Sequence, residues 1–311
     1  MNEITERIQR EINSVIIGKA DVVAKVLMAV LARGHVLLED VPGVGKTTLA
    51  VAFARTLGLE TRRVQFTSDT MPSDIIGFSV YSREEGEFVY KAGAVMTNLL
   101  LADEINRTSS KTQSALLEAM EEYHVTVDGR TYELPSPFVV LATQNPVGSA
   151  GTQLLPASQM DRFLIRTSMG YPDEESQLSI LKDRHHENPL DSIIPVLDRA
   201  ALEGLIEETT AVHVSDEVYR YIVALVQRTR EHEMIELGVS PRGALALCRM
   251  SKAHAFVEGR DFVAPADVTE VFPDVCRHRF VMSAKARMRR YSDADAAREI
   301  LASVPAPQVR G

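Results

Sequence analysis

The sequence predicts an α/β protein in which a parallel five-stranded sheet lies between helices and is followed by a small all-helical domain. Three observations predict it. Five short apolar runs, at 36–38, 63–66, 96–102, 138–143 and 163–167, are separated mostly by segments of helical periodicity. A glycine-rich turn joins the first run to a helix. After Tyr171-Pro172 strand signals vanish and helical patterns take over. The expected division is 1–188 for the α/β domain and 189–311 for the helical one.

In chain order, Ile4, Ile8 and Ile12 recur at helical spacing until Gly18 breaks the run, and Val22, Val23, Val26, Leu27 and Val30 continue on a second helix that stops at Arg33-Gly34. Val36-Leu37-Leu38 suits a buried strand. Leu49, Ala52, Phe53 and Leu57 mark the next helix, closed by Gly58. The alternation of 125–132 around Asp128-Gly129 signals a hairpin. In the second domain, Ser215 or Asp216 starts one helix, Ser240-Pro241 another and Pro265 a third.

Composition narrows the function classes. Of the 311 residues, 45% are hydrophobic and 25% charged, the balance of a globular protein with room for two domains. The net charge of −9 argues against general affinity for nucleic acid or anionic lipid. No apolar run reaches the roughly 20 residues of a membrane span. The N-terminus lacks a signal-peptide pattern, so a cytoplasmic protein is expected. Cys248 and Cys276 stand in no ligand pattern and read as reduced packing residues, and His185-His186 is assigned no metal role.

The chemistry concentrates after the strands, where parallel sheets bind ligands. Asp40-Val41-Pro42-Gly43-Val44-Gly45-Lys46-Thr47-Thr48 has the Walker A pattern, with Asp40 in place of the first glycine. Gly43 and Gly45 let backbone N–H groups turn toward phosphates, and the next helix adds its positive end. Lys46 would reach the β- and γ-phosphates of ATP and Thr47 would hold Mg²⁺. Leu99-Leu100-Leu101-Ala102-Asp103-Glu104 has the Walker B pattern: Asp103 would hold Mg²⁺ through water, and Glu104 would act as general base. Asn145, ending the next apolar strand, could orient the attacking water.

Together these motifs resemble the AAA+ ATPases. More narrowly, the blocks 38–47, 101–107 and 111–120, with Ala142-Thr143-Gln144-Asn145-Pro146 and Asp161-Arg162-Phe163, resemble the MoxR family over nearly the whole chain. Asp40 is frequent in that family. Ala157 and Ala94 depart from it, standing where Glu and Pro are usual. The resemblance implies that Arg162 is an arginine finger reaching a neighbour's γ-phosphate, with strand capping or pairing to Asp161 as the alternative. It implies that Arg242, in Ser240-Pro241-Arg242-Gly243, is a sensor arginine on phosphate. It also implies that Ile17 and Gly18, with Val15 and Ile16, border the adenine, although apolar packing accounts for them equally. The segments 73–95 and 125–132 resemble insertions of this branch. A homo-oligomer, a hexameric ring, is implied, acting as a chaperone-like remodeller of a client protein, of which a von Willebrand A domain protein is one kind. A nucleic-acid motor, a chelatase motor subunit and a non-hydrolysing nucleotide switch are the other readings; the basic cluster Lys285, Arg287, Arg289 and Arg290 is the feature the first of these would use.

Overall fold

A computed structural model describes residues 2–41, 43–145, 155–183 and 189–307. Pro42, Pro146 and His185-His186 lie outside the described residues, and the expected domain junction at 188–189 borders them.

Helices α1 (Glu3–Asn13) and α2 (Ala20–Leu31) precede β1 (Val36–Glu39), α3 (Lys46–Thr56) and β2 (Thr61–Gln65). A short α4 (Pro72–Ile76) leads into the hairpin β3 (Gly77–Ser82) and β4 (Glu87–Ala92). Next come β5 (Leu99–Asp103), α5 (Ser110–Glu122), the hairpin β6 (His124–Val127) and β7 (Arg130–Glu133), and β8 (Val139–Gln144). A short α6 (Ala157–Met160), β9 (Ile165–Thr167) and α7 (Glu174–Asp183) complete this part.

The sheet has the order β2-β5-β8-β1-β9, and every pairing is parallel. Parallel strands are covered on both faces, so they read as continuous apolar runs, and β5 and β8 are buried throughout. Side chains alternate between faces. Leu38, Leu99, Leu101 and Leu141 join one core with Leu49 and Phe53 of α3, whereas Leu37, Leu100 and Val140 join a second with Leu116, Leu117 and Met120 of α5. The edge strand β2 starts two residues before its expected run, because Thr61 and Arg62 pair with Leu99 and Leu100 but are exposed and carry no apolar signal.

Both expected insertions form. Asp128 and Gly129 take φ of 50° and 77°, as a tight two-residue hairpin turn demands. Tyr132 of that hairpin stacks on Tyr90 of the β3–β4 hairpin, ring centroids 3.9 Å apart, so the two insertions touch.

The C-terminal part holds α8 (Arg199–Ala211), α9 (Asp216–Glu231), β10 (Ile235–Leu237), α10 (Pro241–Val257), α11 (Pro265–Cys276), β11 (Val281–Met282), α12 (Ala284–Met288) and α13 (Asp293–Ser303). Ser215 and Ser240 cap α9 and α10 by accepting from Val218 N and Gly243 N. The part is helical apart from one ribbon, β10 paired antiparallel with β11, too short to show a period in sequence. Its Leu225, Val268 and Ile300 continue the same buried cluster as α2 and α3, so helical lid and sheet share one core. Cys276 is fully buried there, and burial pushes its thiol up to about 12, in keeping with a packing role. No described helix is long and apolar enough to cross a membrane.

Candidate active site

The turn from β1 to α3 is where the phosphate cradle was expected. Gly43 and Gly45 take φ of 87° and 96°, a region that L side chains rarely adopt, which is the reason glycine stands at both positions. Lys46 is buried and its Nζ donates to the carbonyls of Asp40 and Val41 at 3.2 and 3.4 Å. Asp40 is explained by its side chain. It accepts from Ser168 Oγ at 2.7 Å, Met169 N at 2.6 Å and Gly170 N at 2.9 Å, tying the start of the loop to the segment after β9. A glycine there could make none of these bonds.

A cleft of about 660 Å³ opens over this turn, within the usual range of about 300–1,000 Å³ for small-molecule sites. Val44, Thr47 and Thr48 line it on the loop side, together with Gly43, Gly45 and Lys46. Asp103 and Glu104 line it from the end of β5. Parallel strand order accounts for the meeting: β1, β5 and β8 end side by side, so the residues just past each strand converge.

Thr143 of β8 fixes both acids, donating from Oγ1 to Asp103 Oδ1 at 2.6 Å and accepting from Glu104 N at 2.8 Å. Glu104 itself is left-handed, with φ of 58°. Its Oε1 accepts from Asn145 Nδ2 at 2.9 Å, and its Oε2 accepts from Gln65 Nε2 at 2.9 Å and Arg107 Nη1 at 2.8 Å. Burial works against the charge, but the hydrogen bonds from Arg107 and Asn145 and the charge of Arg107 outweigh it, holding the carboxyl below the usual glutamate range. Asn145 thus lies against Glu104. Its Oδ1 is buried and finds no hydrogen-bond partner among the described residues.

Beside the cleft, an apolar recess of about 80 Å³ is bordered by Val15, Ile16, Ile17, Val44, Met169 and Pro172. Ile17 is therefore beside the loop. Gly18 does not line the recess. A side chain there would collide with Ser176 at the start of α7, so tight packing accounts for that glycine.

The two arginines lie elsewhere. Arg162 precedes β9 and is near His35, which precedes β1, so both sit at the opposite end of the parallel strands from the phosphate turn. Arg162 donates to Leu117 O at 2.7 Å and pairs with Glu121 at 2.9 Å, not with Asp161. Arg242 pairs with the other oxygen of Glu121, also at 2.9 Å. The N-terminus of α10 packs at the Arg162 end of the sheet, so Arg242, expected on phosphate, stands away from the phosphate turn of its own chain. Asp161 takes a separate role, accepting from Arg279 Nε at 2.7 Å and from Ser240 Oγ at 2.9 Å. Gly243 has no side chain because a Cβ would come within 2.8 Å of the Arg279 side chain and 2.5 Å of Val239. Each residue of Ser240-Pro241-Arg242-Gly243 thus has its reason: a cap, a pre-set first turn, a partner for Glu121, and room for Arg279.

Comparison with known proteins identifies the family. The family described as "ATPase family associated with various cellular activities (AAA)" matches residues 35–165, and the AAA lid domain matches 227–300. The chain is 41% identical to Chaperone MoxR1 of Mycobacterium tuberculosis, covering 98% of this chain and 82% of the relative. It is 32% identical to Protein MoxR of Methylorubrum extorquens, over 97% and 94%. The chain belongs to the MoxR family of AAA+ ATPases. A crystal structure of a candidate ATPase from Cytophaga hutchinsonii superimposes with a TM-score of 0.91 at 36% identity, covering 98% of this chain and 95% of that one. Membership in the MoxR family brings nucleotide binding and ATPase chemistry as the general kind of activity.

Sequence reasoning gave no role to Arg63 and Gln65, which line this MoxR-type cleft, or to Arg107 and Thr143, which hold its acids. Arg63 and Gln65 line it from β2, two apart and so on one side of the strand. That alternation of long polar side chains at the end of a strand was the available signal.

Proposed function

We propose that this chain is a Mg²⁺-dependent ATP hydrolase that works as a homo-oligomer, a hexameric ring, and remodels or activates a partner protein. In this reading the α/β part, 1–188, binds the nucleotide, and 189–311 is its lid. The backbone N–H groups of the loop from Gly43 through Thr48 cradle the phosphates, with Val41 and Pro42 leading into it. Lys46 leaves its carbonyl partners for the β- and γ-phosphates, and Ile17 borders the base. Mg²⁺ takes few protein ligands and keeps phosphate and water oxygens. Thr47 and Asp103 offer hard oxygens on the two walls of one cleft, a donor set that fits this ion. When bound, the ion would neutralise developing phosphate charge. Glu104, kept ionised by its lowered pKa, acts as the base, and Asn145, hydrogen-bonded to it, orients the attacking water.

One observation carries the oligomeric reading: Arg162 and Arg242 stand together at the end of the sheet away from Lys46. Such arginines can offset transition-state charge only at a cleft of another copy. Support for a client with a von Willebrand A domain, and for the hexamer as the ring size, is family resemblance alone.

The test is Mg²⁺-dependent ATP hydrolysis against protein concentration, for wild type, Glu104→Gln and Arg162→Ala. Turnover should rise cooperatively with concentration, both variants should lose it, and Glu104→Gln should still bind ATP. Wild type that binds ATP but turns none over at any concentration would leave a nucleotide switch as the better account.

A further inference from the structure

We infer that Arg63 is a further residue of the ATP site, one that competes with the divalent cation for Asp103. The inference rests on the Mg²⁺-ATP reading of the cleft. Asp103 has two oxygens with different duties. Oδ1 is committed to Thr143 Oγ1 at 2.6 Å, so Oδ2 is the oxygen left for a cation. Arg63 Nη2 donates to that Oδ2 at 2.8 Å. A guanidinium on a carboxylate oxygen offsets part of its charge and repels a divalent cation that approaches the same oxygen. The ion pair and the metal therefore compete for Asp103.

The placement of Arg63 makes such an exchange feasible. It stands on the edge strand β2, lines the cleft, and its side chain is half exposed, so it can leave without disturbing either core. The same Nη2 also donates to Gln65 Oε1 at 2.9 Å, and Gln65 Nε2 donates to Glu104 Oε2 at 2.9 Å. One polar chain thus runs from the metal-binding acid to the catalytic acid through two residues of β2. When Arg63 leaves Asp103, Gln65 loses a partner, so metal arrival and the hydrogen bonding of Glu104 are linked.

The experiment is a Mg²⁺ titration of binding of a fluorescent ADP analogue, which needs no hydrolysis. Wild type is compared with Arg63→Met and Arg63→Lys, each checked for an unchanged melting temperature. Arg63→Met should lower the half-saturating Mg²⁺ concentration by about two- to fivefold, the weight of a half-exposed ion pair. Arg63→Lys, whose ammonium still reaches Asp103, should stay near wild type. In an Asp103→Asn background, Arg63→Met should change nothing. An unchanged or raised Mg²⁺ midpoint in Arg63→Met would overturn the competition. So would weaker nucleotide binding at saturating Mg²⁺, which would make Arg63 a nucleotide contact instead. If wild type binds the analogue with no dependence on Mg²⁺, the Mg²⁺ reading itself fails, and the inference with it.

Discussion

The two ends of the sheet are built from opposite charges. At the carboxyl ends of β1, β5 and β8, Asp103 and Glu104 face a glycine turn whose backbone N–H groups and buried Lys46 suit phosphate. At the other end, Arg162 and Arg242 converge on the single carboxylate of Glu121, with Arg33 and Arg249 alongside. Among the described residues, the first end has acids that can activate water and hold a cation, and its arginines, Arg63 and Arg107, are taken up by those same acids. The second has guanidinium groups but, among those same residues, no phosphate cradle. Each end supplies what the other lacks, and within one chain the sheet keeps them apart. Complementary halves that cannot meet in one molecule are what a site shared between copies requires.

The largest expected effect breaks or confirms that division. Glu104→Gln should cut turnover by roughly 10²–10⁴, the usual weight of a general base. Arg162→Ala should cut it by a comparable factor while leaving nucleotide affinity near wild type. Each variant ruins a different end, so mixing the two should restore part of the activity, because some interfaces then pair an intact Glu104 with an intact Arg162. Steady-state ATPase rates over a range of mixing ratios check this. Activity that stays at the level of the weaker variant at every ratio would place both groups in one chain's site and sink the shared cleft.

The two ends were also unequally legible in the sequence. The glycine turn, Asp103, Glu104 and Asn145 come directly after strands, and strand ends in a parallel sheet converge, so local motif and topology point to the same place. Arg162 was nameable from its motif, but the pairing with Glu121 joins residues 41 apart in sequence, and no period signals it. Arg242 was nameable only as an anion contact, because a helix N-terminus carrying an arginine says that an anion is near, not which anion. Here a carboxylate of α5 fills that place. Arg63 went unnoticed because the edge strand β2 is exposed on much of its length and reads as polar surface. The inner strands β1, β5 and β8 were visible because burial on both faces demands apolar runs. The β10–β11 ribbon was not, because two or three residues carry no pattern.

A smaller effect concerns the arginine end under acid. His35 is fully buried there, its ring donating from Nε2 to Met120 O at 2.9 Å and accepting at Nδ1 from Val140 N at 3.0 Å. Burial, with the charges of Arg249 and Arg242 behind it, lowers its pKa to about 4. The unfolded chain takes up this proton near pH 6.5 while the folded chain refuses it, so stability falls as pH drops from about 6.5 toward 4. At about 1.4 kcal/mol per pH unit, His35 alone removes ~2 kcal/mol between pH 7 and pH 5. Buried His278, lowered in the same direction by burial and by Arg279, steepens the slope. Urea midpoints at the two pH values measure it. His35→Gln, which can still donate to Met120 and accept from Val140 without titrating, should flatten the dependence; an unchanged slope would show that His35 is not its source.

The smallest expected effect tests how the two arginines are held in register. Ser240 Oγ accepts from Gly243 N at 3.1 Å as the cap of α10 and donates to Asp161 Oδ2 at 2.9 Å. Asp161 is the residue before Arg162, and Ser240 is two before Arg242, so this one hydroxyl joins the segments that carry both. Ser240→Ala loses the cap, which costs about 1 kcal/mol of stability, readable as a lowered urea midpoint. Asp161 keeps its bond from Arg279 Nε, so the segment before β9 should hold its position and only the start of α10 should loosen. Arg242 should therefore suffer while Arg162 does not. In the mixing experiment, copies carrying Ser240→Ala should still restore turnover to an Arg162→Ala partner, at a rate reduced about as much as by Arg242→Ala. If Ser240→Ala instead abolishes restoration as completely as loss of Arg162 does, the two arginines are held as a single unit through this hydroxyl, and Arg279 contributes less to their placement than its buried contacts suggest.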